Sequence, residues 1–325
     1  MTQQLDMFGQ GIAPREPERK TRPVLRQFHS TDTEDDWVRK LEDTGRYRIL
    51  RKLTPRPIVD RASSLLPRLG VLVDVETTGL DQAKDEVIEI GMVAFTYADD
   101  GRIGDVVGVF SAMRQPYAPI PPEITRLTGI TDAMVAGKTI PLAAVEQFIE
   151  PADLVVAHNA GFDRPFCERL SPGFAPKAWA CSVSEVKWAD HGFEGTKLGY
   201  LIGQCGYFHD GHRAVDDCHA LLEVLARPWA EGSGSGFGEL LRASEKARVR
   251  IWAENSPFDM KDQLKARGYR WSDGSDGRPK AWWTDVAEED SDDELRFLRS
   301  DVYQWPDAEP PTKRLTAFDR FRARD

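Results

Sequence analysis

Cysteine is scarce in this sequence, with four in 325 residues, at Cys167, Cys181, Cys205 and Cys218. Their spacing fits no disulfide framework, so free thiols in a reducing compartment are expected. Long apolar runs are also missing: no stretch approaches the roughly 18 to 20 residues that cross a bilayer. The opening MTQQLDMFGQG lacks the basic-then-apolar order of an export signal, so a cytoplasmic protein with no membrane partner is expected. Positive charge is in deficit as well. The net charge of −10 argues against a broad basic surface that coats nucleic acid. It leaves room for a local groove, or for an acidic site whose bound metal attracts phosphate.

What is present is enough apolar residue, 41%, for a sizeable core, in a chain long enough for two domains with tails. Residues 1–60 read as a flexible arm with a short helix around Trp37 and Leu41. A globular unit is expected over 65–230, a Gly/Ser-rich linker over 231–247, a small unit over 248–305 and a Pro-rich tail over 306–325. In the larger unit VLVDV, VIEIGMVAF and VVGVF read as strands, PLAAVEQFI as a helix, LVVAHN as a strand and AVDDCHALLEVLA as a closing amphipathic helix. That order predicts an α/β fold with a mixed central sheet flanked by helices. The small unit predicts an α+β module, with FDMKDQLKARG as a helix ended by Gly268 and a hairpin across DGSDG.

One strand is odd. In VLVDVETTGL, Asp74 and Glu76 interrupt a buried-strand pattern, and residues two apart on a strand share a face. Two carboxylates side by side are expensive to bury without a cation between them. HNAGFD adds Asp163 and HRAVDD adds Asp217, with His212 five residues before the latter. Four carboxylates drawn together would suit hard divalent ions such as Mg²⁺ or Mn²⁺. Taken singly each has a plainer reading: Asp163 as a turn residue, Asp217 as a helix-start acid, Glu89 of VIEIG as a structural partner. Cys205, His209, His212 and Cys218 lack the paired-ligand rhythm of a zinc site.

VDVETTGL, IPPEITRLTGITDAMV, HNAGFD and HRAVDD, in this order, resemble the DEDDh 3′→5′ exonucleases of the ribonuclease-H-like superfamily, which include the epsilon proofreading subunit of bacterial DNA polymerase III. The resemblance spans about residues 65–226. It implies an exonuclease domain of that fold at 65–230, with two ions held by Asp74, Glu76, Asp163 and Asp217, and His212 as general base. Thr77, Thr78, Gly79 and Leu80 would hold the 3′-terminal nucleotide, supported by Asn159 and Phe162. The implied reaction is hydrolysis of terminal phosphodiesters of DNA to 5′-mononucleotides, in proofreading or repair in a bacterial cytosol or nucleoid. Asp216 is set aside, because the H-x-A-x-x-D spacing through Ala214 selects Asp217, and His209, a rival base, is read as a loop residue. The alternatives are an exoribonuclease of the same fold and a non-catalytic polymerase-associated subunit.

The ends carry two further signals. QLDMF, with Gln4, Leu5, Met7 and Phe8, resembles the short peptide by which bacterial replication proteins bind the sliding clamp. The unit at 248–305 interleaves bases with aromatics, among them Lys261, Lys265, Arg270, Trp271, Trp282 and Trp283. Most of these rings are expected in a small core, with some left outside for a ligand.

Overall fold

The computed structural model describes residues 33–229, 232, 234–275 and 277–322. Gln4, Leu5, Met7 and Phe8 lie outside them. The chain divides into two compact units, Met1–Ile49 and Leu50–Asp325. In the first, helix α1 (Glu34–Glu42) starts with Thr33 and Asp36 in a reciprocal capping box.

The second unit runs, in chain order, through β1 (Arg51–Lys52), β2 (Arg68–Thr77), β3 (Val87–Tyr97), β4 (Ile103–Met113), α2 (Pro122–Thr128), α3 (Asp132–Val135), α4 (Leu142–Ile149), β5 (Leu154–Ala157), α5 (Ala160–Leu170), β6 (Trp179–Cys181), α6 (Leu198–Gln204), β7 (Tyr207–Phe208) and α7 (Ala214–Ala226). It continues with α8 (Gly236–Glu245), β8 (Arg248–Ala253), α9 (Lys261–Ala266), β9 (Arg270–Trp271), β10 (Trp282–Ala287), α10 (Ser291–Phe297) and β11 (Thr312–Leu315). A five-stranded mixed sheet has the order β4-β3-β2-β5-β6, with β3 antiparallel and β5 parallel to the central β2. Helices cover both faces, which is why β2 is apolar on each side. Leu72 joins Val93 and Phe95 in one core cluster, while Val71, Val73 and Val75 join Met92 and Phe166 in the other. The result is the expected α/β arrangement with a mixed central sheet, of ribonuclease-H-like fold, and an additional C-terminal sheet, β11-β8-β10-β9, backed by α9 and α10.

Three boundaries drawn from composition are corrected. The arm read as 1–60 ends earlier, since Arg51 and Lys52 pair with Tyr207 and Phe208 and Ile58 bridges Val106. Most of the stretch read as a linker, 231–247, is α8. Ser235 caps it, and Phe237 packs edge-on against Phe95 and Tyr97 at 5.2 and 5.1 Å. The stretch read as a tail, 306–325, supplies β11 and then a strap along the β6 edge of the five-stranded sheet. Trp179 N–H donates to Ala317 O, Arg164 donates to the carbonyls of Phe318 and Arg320, and buried Arg320 pairs with buried Glu185.

Candidate active site

The cluster is built where β2, β3 and α7 meet. Asp74 and Glu76 lie on β2, and the register shifts just after Glu76, a bulge that re-aims the strand end. Opposite Asp74 on β3 stands Gly91. A Cβ there would lie 2.3 Å from the Ala214 carbonyl carbon and the Val215 nitrogen, so only a residue without a side chain lets the start of α7 sit this close to the sheet. Glu89, fully buried one pleat along, accepts the Ala214 N–H at 3.2 Å and two bonds from the Arg213 guanidinium. It is therefore a docking group for α7, as its position in VIEIG suggested. These contacts carry Asp217, in the first turn of α7, to the strand. Ligand oxygens of Asp74, Glu76 and Asp217 all lie within 4.8 Å of one another, and among the described residues this is the one such group of three or more.

Asp163, read as a turn residue when taken alone, lies in the first turn of α5. It is buried, and its Oδ1 accepts the Val75 N–H at 3.3 Å. It stands outside the tight trio but is electrically part of it. Burial raises Asp163 well above the ordinary carboxylate range, and the charges of Glu76 and Asp217 push the same way. Burial likewise raises Asp74, with Asp163, Asp217 and Glu76 adding to it. Glu76 is pushed up to about 8, by burial first and then by Asp217 and Glu89. An assembly of acids that resists ionisation on its own is one that a divalent cation would relieve, and an all-oxygen donor set suits a hard ion. The residues present thus fit Mg²⁺ or Mn²⁺. A thiolate site is disfavoured, because burial holds the Cys167 and Cys218 thiols well up.

His212 is exposed, in the left-handed region at φ 63°, on the loop entering α7. His209, set aside in the sequence, is the histidine that touches the cluster: its Nε2 lies 2.7 Å from Asp217 Oδ1, and Asp217 Oδ2 accepts the Arg213 N–H at 3.1 Å. Spacing does not say which loop side chain folds back onto Asp217, so this contact was invisible in the sequence. The histidine of HNAGFD is a packing group. Its Nε2–H donates to Thr196 O and its Nδ1 accepts from the Ser182 hydroxyl, and burial lowers the pKa of His158.

The Thr77–Leu80 loop is tied inward by its polar groups. Thr77 donates to Gly79 O, Thr78 donates to Asp85, and a Cβ on Gly79 would collide with the Asp85 carboxylate. Leu80 is left 82% exposed at the loop tip. Asn159 adopts φ 85° at the start of α5, and half-buried Phe162 packs on Phe166 at 5.1 Å. Beside the site, Arg213, Lys138 and Met134 line a cleft with Glu89.

The profile of an exonuclease family matches residues 71–225. The PolC-type DNA polymerase III of Clostridium perfringens is 33% identical over 161 residues, which are 48% of this chain and 11% of the relative. The DNA polymerase III epsilon subunit of Aquifex aeolicus is 30% identical over 183 residues, 54% of this chain and 87% of the relative. A structure of exonuclease X in complex with 5′ overhanging duplex DNA is 25% identical, covering 51% of this chain and 99% of that one, at a TM-score of 0.36. The chain spans between 11% and 26% of the length of the first three relatives it matches.

Proposed function

Since this chain belongs to the DEDDh, DnaQ-like exonuclease family, we propose that it is a metal-dependent 3′→5′ exonuclease that removes nucleoside 5′-monophosphates from the 3′-hydroxyl end of DNA. The observation that carries this reading is the carboxylate trio, whose ligand oxygens lie within 4.8 Å of one another. Asp74, Glu76 and Asp217, with Asp163 behind them, would hold two ions, Mg²⁺ or Mn²⁺. When bound, these ions would supply Lewis-acid stabilisation to the phosphoryl oxygens and to the departing 3′-oxygen.

The chain's own groups do the rest. His212, on an exposed loop five residues before Asp217, takes the proton from the attacking water as general base. The water oxygen bonds to phosphorus, the P–O3′ bond breaks, and the released 3′-oxygen gains a proton to become the new 3′-hydroxyl. Leu80, bare to solvent, offers an apolar surface to the terminal sugar or base, and the backbone from Thr77 to Gly79 frames the nucleotide. Asn159 and Phe162 support the opposite wall.

Proofreading or repair alongside a DNA polymerase is the biological setting this reading favours, in the bacterial cytosol. The peptide Gln4, Leu5, Met7 and Phe8 would tether the enzyme to a sliding clamp and raise the local concentration of 3′ ends. The deciding experiment incubates the protein with 5′-labelled DNA and RNA, single- and double-stranded, with Mg²⁺, Mn²⁺ or chelator. A DNA ladder shortened one nucleotide at a time, only with metal and lost in Asp74→Ala, is expected. Internal cuts, preference for RNA, or full activity of Asp74→Ala would overturn it.

A further inference from the structure

The C-terminal module carries aromatics that its own core does not need. Ile251, Ala253, Leu264, Tyr269, Leu298 and Val302 are buried together and close that core. Yet Trp271, on the edge strand β9, remains 51% exposed, and Phe258, just before α9, 76% exposed. Trp271 stands directly across the strand pair from Trp282, their rings 5.5 Å apart and tilted by 59°. Each exposed ring system has a cation at hand. The Lys261 ammonium lies 4.2 Å from the Phe258 ring centre, the Lys265 ammonium 5.8 Å from Trp282, and Arg270 leaves the same edge strand on the other side, 4.4 Å from Trp283. Between Phe258 and Trp283 six Lys and Arg outnumber four Asp, against a net charge of −10 for the chain.

We propose that this edge is a binding site for an unpaired nucleic-acid tract, running from Phe258 and α9 across Trp271. The chemistry selects the occupant. Exposed ring faces suit bases that are not already stacked in a duplex, and interspersed ammonium and guanidinium groups suit the phosphates between them. A protein partner would instead call for a continuous apolar patch with few charges at its centre. The inference deepens the nuclease reading and rests on it in one respect: the tract is the part of the strand that precedes the 3′ end being trimmed.

The test is equilibrium binding of the full-length protein to a fluorescein-labelled oligothymidylate, followed by anisotropy in chelator so that no strand is cut. Trp271→Ala should raise Kd at least about fivefold, the low end of what loss of one base–ring stack produces, and Trp271→Phe should recover most of that. Lys261→Ala with Lys265→Ala, both on a helix that alanine favours, should reduce the slope of log K against log salt by about 1.4, or 0.7 for each lost phosphate contact. A blunt duplex of the same length should bind more weakly and without dependence on Trp271. Unchanged Kd in Trp271→Ala together with an unchanged salt slope in the lysine variant, or equal Trp271 dependence for duplex, would overturn the proposal. Nuclease failure reads out separately. Patch-dependent binding with no strand shortening in Mg²⁺ or Mn²⁺ would reject the nuclease reading alone, and shortening with patch-independent binding would reject this site alone.

Discussion

Replacing Gly91 by alanine tests how the carboxylate cluster is assembled. The new Cβ would sit 2.3 Å from the backbone of Ala214 and Val215, where non-bonded carbons need about 3.5 Å. Neither contacting atom is the end of a flexible side chain, so α7 or β3 must yield by about 1 Å. Overpacking of this kind costs about 1–3 kcal/mol. At about 2–4 °C per kcal/mol for chains of this order of size, the midpoint should fall by about 2–12 °C while the protein stays folded at 25 °C. The chemistry should suffer more than the fold, because Asp217 travels with α7 and a displacement of about 1 Å at a reacting centre can cost on the order of 100-fold. Thermal melts by circular dichroism and gel assays on 5′-labelled DNA read the two effects. Gly199→Ala, in α6 where nothing lies within 4 Å of a Cβ, serves as control and should be neutral or stabilising. Wild-type nuclease rates in Gly91→Ala, with a normal melt, would refute the claim that this close approach sets the site.

Metal-free protein should lose stability as pH rises. Glu76 titrates near 8 folded and at its ordinary lower value unfolded, so between those values the native state holds the extra proton and each pH step favours unfolding. Added Mg²⁺ or Mn²⁺ should cancel the trend, and melts from pH 5 to 9 that slope the other way would contradict it. His212→Ala should lose most of the nuclease rate, with His209→Ala affected less; the reverse ranking in a kcat comparison would transfer the base role to the histidine that touches Asp217. Arg320→Ala would strand the buried Glu185 carboxylate at a cost of about 3–5 kcal/mol, visible as a midpoint drop on the order of 10 °C. A drop of under about 2 °C would mean that the strap is dispensable.

The sheet and its acids were legible because their signals are local. A β-branched run interrupted by Asp74 and Glu76 can be seen in ten residues, and AVDDCHALLEVLA has the boundaries of α7 as written. Order along the chain then tied Asp163 and Asp217 to them. Helix α5 was hidden because Gly161 and Pro165 look like breakers, yet the helix runs through both, with Pro165 in its interior. Helix α8 was hidden by GSGSG, whose last glycine is already its first residue, and Phe237 reveals itself only through Phe95 and Tyr97 far upstream. Arg320 shows the limit most clearly. Nothing in LTAFDRFRARD marks one arginine as buried, since its partner Glu185 lies 135 positions away.

The strap has a mechanical consequence for the module it follows. The chain leaves the nuclease core through α8, builds the C-terminal sheet, and comes back through β11 into contacts with Arg164, Trp179 and Glu185. A body fastened at both its entry and its exit cannot swivel about a single connection. Any strand seated along the β9 edge would therefore lie on a body held in one orientation to the five-stranded sheet, so that its hold on the strand would not be dissipated by a loose hinge.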